Sequence, residues 1–175
     1  MALDFSADHI ASADGGFEPQ RGNNFVISVA LGGAGFSSDP TMIQLAMRAF
    51  SLPVGRNEVH RIKHGNTTKK VAGGHDVEDF SLTLRDYVDQ DVRKLLLEWR
   101  TLVYNVDTGA MGLASAYKKI ATAIVSDPGG GNQRKCKLFG IWPPADPPGG
   151  FSMDNTEPID MEMPFVVDKL KWTQI

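Results

Sequence analysis

The sequence predicts a mainly β fold of the α+β class, with one flanking amphipathic helix and a long projecting hairpin. Apolar and polar residues alternate over residues 79–86, which is the period of a half-buried strand. Directly afterwards, over residues 88–106, the apolar residues recur at helical spacing. Most of the remaining chain alternates in short segments bounded by glycine and proline, so one helix has to cover a large sheet.

The predicted helix has a continuous apolar face, which is expected to pack on the sheet because such a stripe is stable only when it is buried. The residues expected to form this core face are Val92, Leu95, Leu96, Trp99, Leu102 and Val103. The residues of the opposite face, which is expected to be in water, are Gln90, Arg93, Lys94 and Arg100.

Further strands are predicted over residues 25–31, 43–49, 117–126, 134–142 and 159–167. In the second of these, the residues expected to face inward are Ile43, Leu45, Met47 and Ala49. In the fourth, Cys136, Leu138 and Trp142 are expected to share one side. After the last, Leu170 and Trp172 fall out of phase, which predicts a β-bulge near Val167.

Residues 56–74 predict a hairpin with two polar faces, because Gly65-Asn66 is a turn signal between two segments with few large aliphatic side chains. Such a hairpin is marginal alone in water, so we expect an arm that becomes ordered by pairing with another molecule. The arm residues expected to make these contacts are Arg56, Glu58, Val59, His60, Arg61, Lys63, Lys69, Lys70 and Val71. The basic residues could equally contact phosphates, form salt bridges between subunits, or only be solvated.

Length and composition are those of a soluble globular protein, with 175 residues, 42% hydrophobic and 22% charged. We expect a flexible N-terminal arm over residues 1–16 and a single domain over 17–175, with no signal peptide and no membrane anchor. The lone Cys136 excludes an internal disulfide and fits synthesis in a reducing cytoplasm. The net charge of −3 argues against general affinity for nucleic acid.

No constellation of residues predicts an enzyme, a cofactor or a metal site. His60 and His64 would be about 13 Å apart along a strand, too far to share a metal. His75, Asp76 and Glu78 could serve a small metal-dependent hydrolase, but near-consecutive residues after two glycines more simply indicate a turn and the start of a strand.

An ordered series of segments resembles the tail tube protein of contractile-tailed bacteriophages, a family related to the inner tubes of type VI secretion and of tailocins. The segments are NFVI (24–27), SLPVG (51–55), KKVAGG (69–74), FSLTL (80–84), Trp99, YKK (117–119) and GIWP (140–143). Their order and spacing match from about Phe17 to Trp172. The resemblance implies a β-sandwich-like or barrel-like subunit that forms hexameric rings, stacked into a hollow tube inside a contractile sheath.

The resemblance also implies the setting of the protein. The expected partners are further copies of the chain, the tail sheath protein, and the tube-initiating baseplate, tape-measure and tail-terminator proteins. Genomic DNA is expected to pass through the bore, and the expected location is the virion after synthesis in the host cytoplasm. The alternative is the inner tube of an injection or secretion system with protein cargo, or of a tailocin.

A bore that conducts DNA favours acidic walls, because a basic wall would hold the phosphates and stall transit. Asp160 and Glu162 alternate with apolar residues on the last strand, so both are expected on its polar face. They are candidate lumen residues, or they face water on the outer wall.

Overall fold

The structure is a computed structural model that describes residues 22, 24–31, 36–37, 39, 41–87, 92–126, 133–148 and 158–174. The predictions for residues 1–16 lie outside this part of the chain. In order, the elements are β1 (Phe25–Ala30), α1 (Met42–Ala46), β2 (Met47–Phe50), β3 (Gly55–His64), β4 (Thr67–Val77), β5 (Phe80–Arg85), α2 (Val92–Val103), β6 (Tyr104–Asn105), β7 (Ala110–Met111), α3 (Ala114–Tyr117), β8 (Lys119–Ser126), β9 (Gln133–Ile141), β10 (Asp160–Phe165) and β11 (Lys169–Gln174).

The strands form two main antiparallel sheets, which confirms the mainly β fold. The large sheet has the strand order β1-β8-β9-β11, and the small sheet has the order β10-β5-β2. Strands β3 and β4 pair only with each other, as do β6 and β7. Among the described residues none of these sheets closes on itself. No helix in the described ranges is long and apolar enough to cross a membrane.

Both main sheets and α2 contribute to one hydrophobic core. Alternate residues of each strand enter it, among them Ile27 and Val29, Ala121 and Ala123, Leu82 and Leu84, and Met161 and Met163. Cys136 is part of the same cluster and is buried, as expected for a small apolar side chain. Burial raises the pKa of the Cys136 thiol to about 11, because the thiolate would lose its hydration.

Helix α2 packs on this core through the face that its periodicity predicts. Val92, Leu95, Leu96, Trp99 and Val103 are buried, and Leu102 is half-buried. The Trp99 ring packs against Phe165, with the centroids 5.6 Å apart, and its indole N–H donates to the carbonyl of Tyr117 over 2.7 Å. The helix ends at Val103, three residues before the predicted end, because the chain enters the short hairpin β6–β7.

The prediction of a strand over residues 43–49 is wrong in its first half. Residues Met42–Ala46 form the helical turn α1, and only Met47–Phe50 pair with β5. Ile43 and Ala46, three residues apart, are buried, whereas Leu45 is 67% exposed and Ala49 is exposed. The spacing of three, not two, decides which side chains reach the core.

The predicted bulge near Val167 is instead a crossing between sheets. Residues Asp160–Phe165 pair with β5 in the small sheet, and Lys169–Gln174 pair with β9 in the large one. Leu170 and Trp172 are out of phase because they belong to a different strand. Leu170 lies opposite Leu138, and Trp172 opposite Cys136.

A β-bulge does occur in β9, at Gly140. The ladder shifts register between Lys119 and Ile120, and Gly140 has a φ of +69°, where an L side chain is strained. The extra residue turns Ile141 into the core in place of Trp142, which is half-buried. The prediction that Trp142 shares the side of Cys136 and Leu138 is therefore wrong.

We expect Gly140→Ala to destabilise the fold by about 1–3 kcal/mol, because it adds strain at positive φ and places a Cβ against the Asp168 carboxylate. That carboxylate is held by Lys118 Nζ at 2.6 Å, so it is not free to move away. Urea denaturation measures the loss. Gly109→Ala is the control, since its φ is +67° and nothing lies within 4 Å of the added Cβ. An equal loss in both variants would contradict the contact with Asp168.

Candidate assembly surfaces

Strands β3 and β4 form the predicted arm, and Val77, at its base, is the one arm residue that belongs to the hydrophobic core. Its ladder runs from Gly55 opposite Val77 to His64 opposite Thr67, with Gly65-Asn66 in the turn. At about 3.3 Å per residue the arm is about 30 Å long. Every residue of β3 is exposed, including Val59 at 60% and Ile62 at 46%. Val77, at the base, is the first residue of β4 that is buried.

Charge is unevenly distributed along the arm. Between Glu58 and Asp76 the sequence has no carboxylate, while Arg61, Lys63, Lys69 and Lys70 are all in this interval. Arg61 lies directly opposite Lys70, so their side chains share one face of the hairpin. Like charges directly opposite each other destabilise a ladder. The outer arm is therefore a cationic surface, and no carboxylate between Glu58 and Asp76 offsets its charge repulsion.

The base of the arm is acidic and is tied to the body of the protein. Arg56 Nη1 lies 2.8 Å from Glu78 Oε1. His75 Nδ1 is 2.6 Å from Asn57 Oδ1 across the ladder, and the Asp76 carboxylate accepts the N–H of Val77. His75 and Asp76 are thus part of β4, not a turn as predicted, and with Glu78 they bind separate partners. They do not converge into a catalytic group. Within the described ranges no three metal-ligating side chains converge either.

Within the described residues, no further strand pairs with the outer edges of the two main sheets. Strands β1 and β11 bound the large sheet, and β10 and β2 bound the small one. Strand β10 carries Pro164, which has no N–H to offer a further strand. Strand β1, with the sequence FVISVA, has neither proline nor charge. Its sequence therefore supplies neither of these two protections against pairing with another chain.

The candidate lumen residues Asp160 and Glu162 lie on the exposed face of β10, as predicted, but their environments differ. Arg85 donates two hydrogen bonds to the Asp160 carboxylate, at 2.8 and 3.0 Å. The Arg85 hydrogen bond holds the pKa of Asp160 below its ordinary value. Glu162 is exposed opposite Thr83. Glu162 is therefore the acid whose charge is not already matched by Arg85.

Sequence reasoning missed Arg85 as the partner of Asp160, because the two are 75 residues apart. The signal available was that each is a polar residue alternating with a buried strand residue. It also missed that Lys169 and Lys171 join Lys135 and Lys137 on one face of the large sheet, since this depends on the pairing of β9 with β11.

No protein-family model matches the chain, and no curated protein matches its sequence. Solved structures do match its fold. A chain of the anti-feeding prophage cap (the AFP tube terminating cap) superposes with a TM-score of 0.65 at 12% identity, over 90% of this chain and 93% of that one. A chain of the extended sheath-tube complex of PVC, an extracellular contractile injection system, gives a TM-score of 0.60 at 14% identity, over 98% and 100%.

A chain of the AFP baseplate is also similar, with a TM-score of 0.61 at 10% identity, over 89% of this chain and 96% of that one. The chain therefore has the tail-tube-like fold that occurs in components of contractile injection systems, and the likeness extends over nearly the whole of each chain.

Proposed function

We propose that the chain is a structural, non-catalytic subunit of the inner tube of a contractile particle, in which hexameric rings stack into a hollow tube. The observation that carries the proposal is the fold likeness to a chain of a sheath-tube complex over the full length of that chain. The neighbours are tube, cap and baseplate components, which supports a structural role and not catalysis.

The open sheet edges supply a physical reason for ring formation. An unprotected edge such as that of β1 leaves backbone N–H and C=O groups ready to pair with another strand. When each subunit pairs head to tail with the next and the rotation closes, the result is a ring in which no edge remains. The proposed ring therefore completes the hydrogen bonding that an isolated copy lacks.

The arm supplies a reason for stacking. It extends about 30 Å with no buried side chain before Val77, so its order and its exposed Val59 and Ile62 are unexplained by the fold of one copy. In the proposed tube, the arm residues from Arg56 to Val71 bridge one ring to the next or to a neighbour in the same ring. Head-to-tail contacts that do not close produce a filament, as a tube requires.

The particle that we propose is the tail of a contractile-tailed bacteriophage. The tube would then lie inside the sheath protein and meet the tube-initiating baseplate, tape-measure and tail-terminator proteins. Genomic DNA would pass through the bore into the host. The subunit would be made in the host cytoplasm and end in the virion.

In a second candidate function the chain forms the same kind of tube, but the tube conducts a protein instead of DNA. The similarity to PVC chains favours it, because PVC is an extracellular contractile injection system. Micrographs of the native particle separate the two, since a DNA-filled capsid at the end of the tail supports the phage and its absence supports the injection particle.

If the tube conducts DNA and Glu162 lines the bore, we expect Glu162→Lys to slow DNA ejection without preventing assembly, because each ring would gain cations that hold phosphates. Glu162→Gln, which removes the acid without adding a cation, is the matched control and should have a smaller effect. Asp160→Lys is a poorer test, since it also breaks the pair with Arg85. Ejection from purified particles measures the rate, and an unchanged rate in Glu162→Lys would remove this residue from the bore.

Negative-stain electron microscopy of the concentrated, purified protein tests the proposed function. Rings and hollow tubes of uniform width would support it. Fields of single particles at every concentration, with no ring or tube, would contradict it.

A further inference from the structure

The solvent face of the large sheet carries an unusual combination of side chains. The ladders place its residues in rows, each crossing β1, β8, β9 and β11 in turn. The rows are Val26-Ile124-Lys135-Thr173, Ser28-Thr122-Lys137-Lys171 and Ala30-Ile120-Phe139-Lys169. We call this set the lysine face. It has four lysines, all on β9 and β11, and no carboxylate in any row.

The four lysines are close together, and no carboxylate of the described residues pairs with them. Lys137 lies directly opposite Lys171, and Lys135 and Lys169 are each two residues along a strand from one of them, about 7 Å away. Within the ranges that the structure describes, none of the four has an ion-pair partner. A like-charged pair directly across a ladder is destabilising, so this face is less stable empty than when an anion covers it.

Protection of a sheet edge does not account for the arrangement. Lysines on an edge strand discourage unwanted pairing, and this could explain Lys169 and Lys171 on β11. Lys135 and Lys137, however, belong to β9, which pairs with β8 on one side and β11 on the other. An interior strand has no edge to protect.

The other half of the lysine face has aliphatic side chains in its two outer rows, on either side of the hydroxyl row Ser28-Thr122, and this limits the choice of partner. On β1 and β8, Val26 is 42% exposed and Ile120 is 45% exposed, and Ile124 lies beside them. Nucleic acid would pair with the lysines through its phosphates, but its backbone would not bury the adjacent aliphatic side chains. A second copy placed face to face would set the lysines against lysines or against aliphatic side chains, and neither supplies a carboxylate to pair with them.

We infer that the lysine face is a docking surface for a polypeptide other than this chain, one that presents carboxylates beside aliphatic side chains. The carboxylates pair with the four lysines on β9 and β11, and the aliphatic side chains cover Val26, Ile120 and Ile124. A single copy carries the whole face, so binding to it does not require tube formation.

Fluorescence anisotropy of the full-length protein with a labelled peptide made of Leu-Glu-Glu repeats tests this docking surface. We expect saturable binding that weakens as salt rises. The double variant Lys137→Gln with Lys171→Gln should bind about tenfold more weakly, as expected for the loss of two ion pairs. A Ser-Glu-Glu peptide should also bind more weakly than the Leu-Glu-Glu peptide, because it has no aliphatic side chain to cover Val26, Ile120 and Ile124.

Lys63→Gln with Lys69→Gln, on the arm, is the matched control: it removes the same charge and should bind the peptide as the wild type does. Lys137→Glu separates loss of binding from loss of stability. It should weaken peptide binding yet raise the melting temperature by about 1–3 °C, because it converts the repulsive pair with Lys171 into an attractive one.

Four results would overturn the docking surface. Equal loss of binding in the arm control would mean unspecific attraction, and tighter binding of single-stranded DNA than of the peptide would mean a nucleic-acid site. Loss of self-assembly in the Lys137→Gln, Lys171→Gln variant would make the face a contact between copies. A tenfold gain in affinity when residues 1–16 are removed would make the N-terminal segment its occupant.

Discussion

Deletion of residues 58–71 is expected to leave a folded protein that no longer forms tubes. These residues are exposed, apart from the partly buried Val71, and none belongs to the hydrophobic core. After the deletion Asn57 still lies opposite His75, and Ala72, Gly73 and Gly74 form the new turn. The fold therefore loses no buried contact, whereas the proposed tube loses its contact between copies.

Circular dichroism and thermal unfolding should give a cooperative transition close to that of the full-length protein, and negative-stain microscopy should find no tubes. Thr68→Ala, which keeps the full length of the arm, is the control and should polymerise normally. Normal tubes from the deletion protein would contradict a bridging role for the arm. A deletion protein that fails to fold would contradict the arm's independence from the core.

Trp99→Ala is expected to lower the free energy of unfolding by about 3–5 kcal/mol, the largest loss of any single substitution that we predict. Trp99 is fully buried, packs against Phe165 and Phe36, and donates its N–H to the Tyr117 carbonyl. Truncation opens a cavity between α2 and the small sheet and leaves that carbonyl without its partner.

Trp172→Ala is the matched control for Trp99→Ala. Trp172 is 47% exposed on the edge strand β11, so its truncation should cost about 1 kcal/mol or less. Urea denaturation of both variants measures the difference. Similar losses in the two variants would contradict the position of Trp99 at the centre of the core. Trp99→Phe separates the two contributions, since it keeps an aromatic ring in place but removes the hydrogen bond to Tyr117.

The parts of the fold that local pattern determines were predictable. The face of α2, the alternation in β5 and the arm with its Gly65-Asn66 turn all follow from spacing within one segment. Residues 42–50 were harder to predict, because a five-residue helix and a four-residue strand are each too short to show a helical or strand period clearly. Ile43 and Ala46 fit a helical turn, while Ile43, Leu45 and Met47 fit a strand equally well.

The parts that depend on pairing between distant segments were not predictable. The sequence pattern within residues 159–174 does not indicate that the chain leaves the small sheet and joins the large one. The neutralising partner of Asp160 and the clustering of four lysines depend on registers with β5 and β9. Assembly surfaces are the least predictable of all, because the groups that their residues bind belong to other molecules and are not in this sequence.

The central physical claim is that a single copy is incomplete, with the edge of β1 and the arm satisfied only by other copies. Sedimentation velocity over a wide range of protein concentration tests it most directly. The account predicts that the weight-average sedimentation coefficient rises with concentration, through rings to long cylinders. One sharp monomer boundary up to millimolar concentration, unchanged after addition of preformed tubes as seeds, would contradict it.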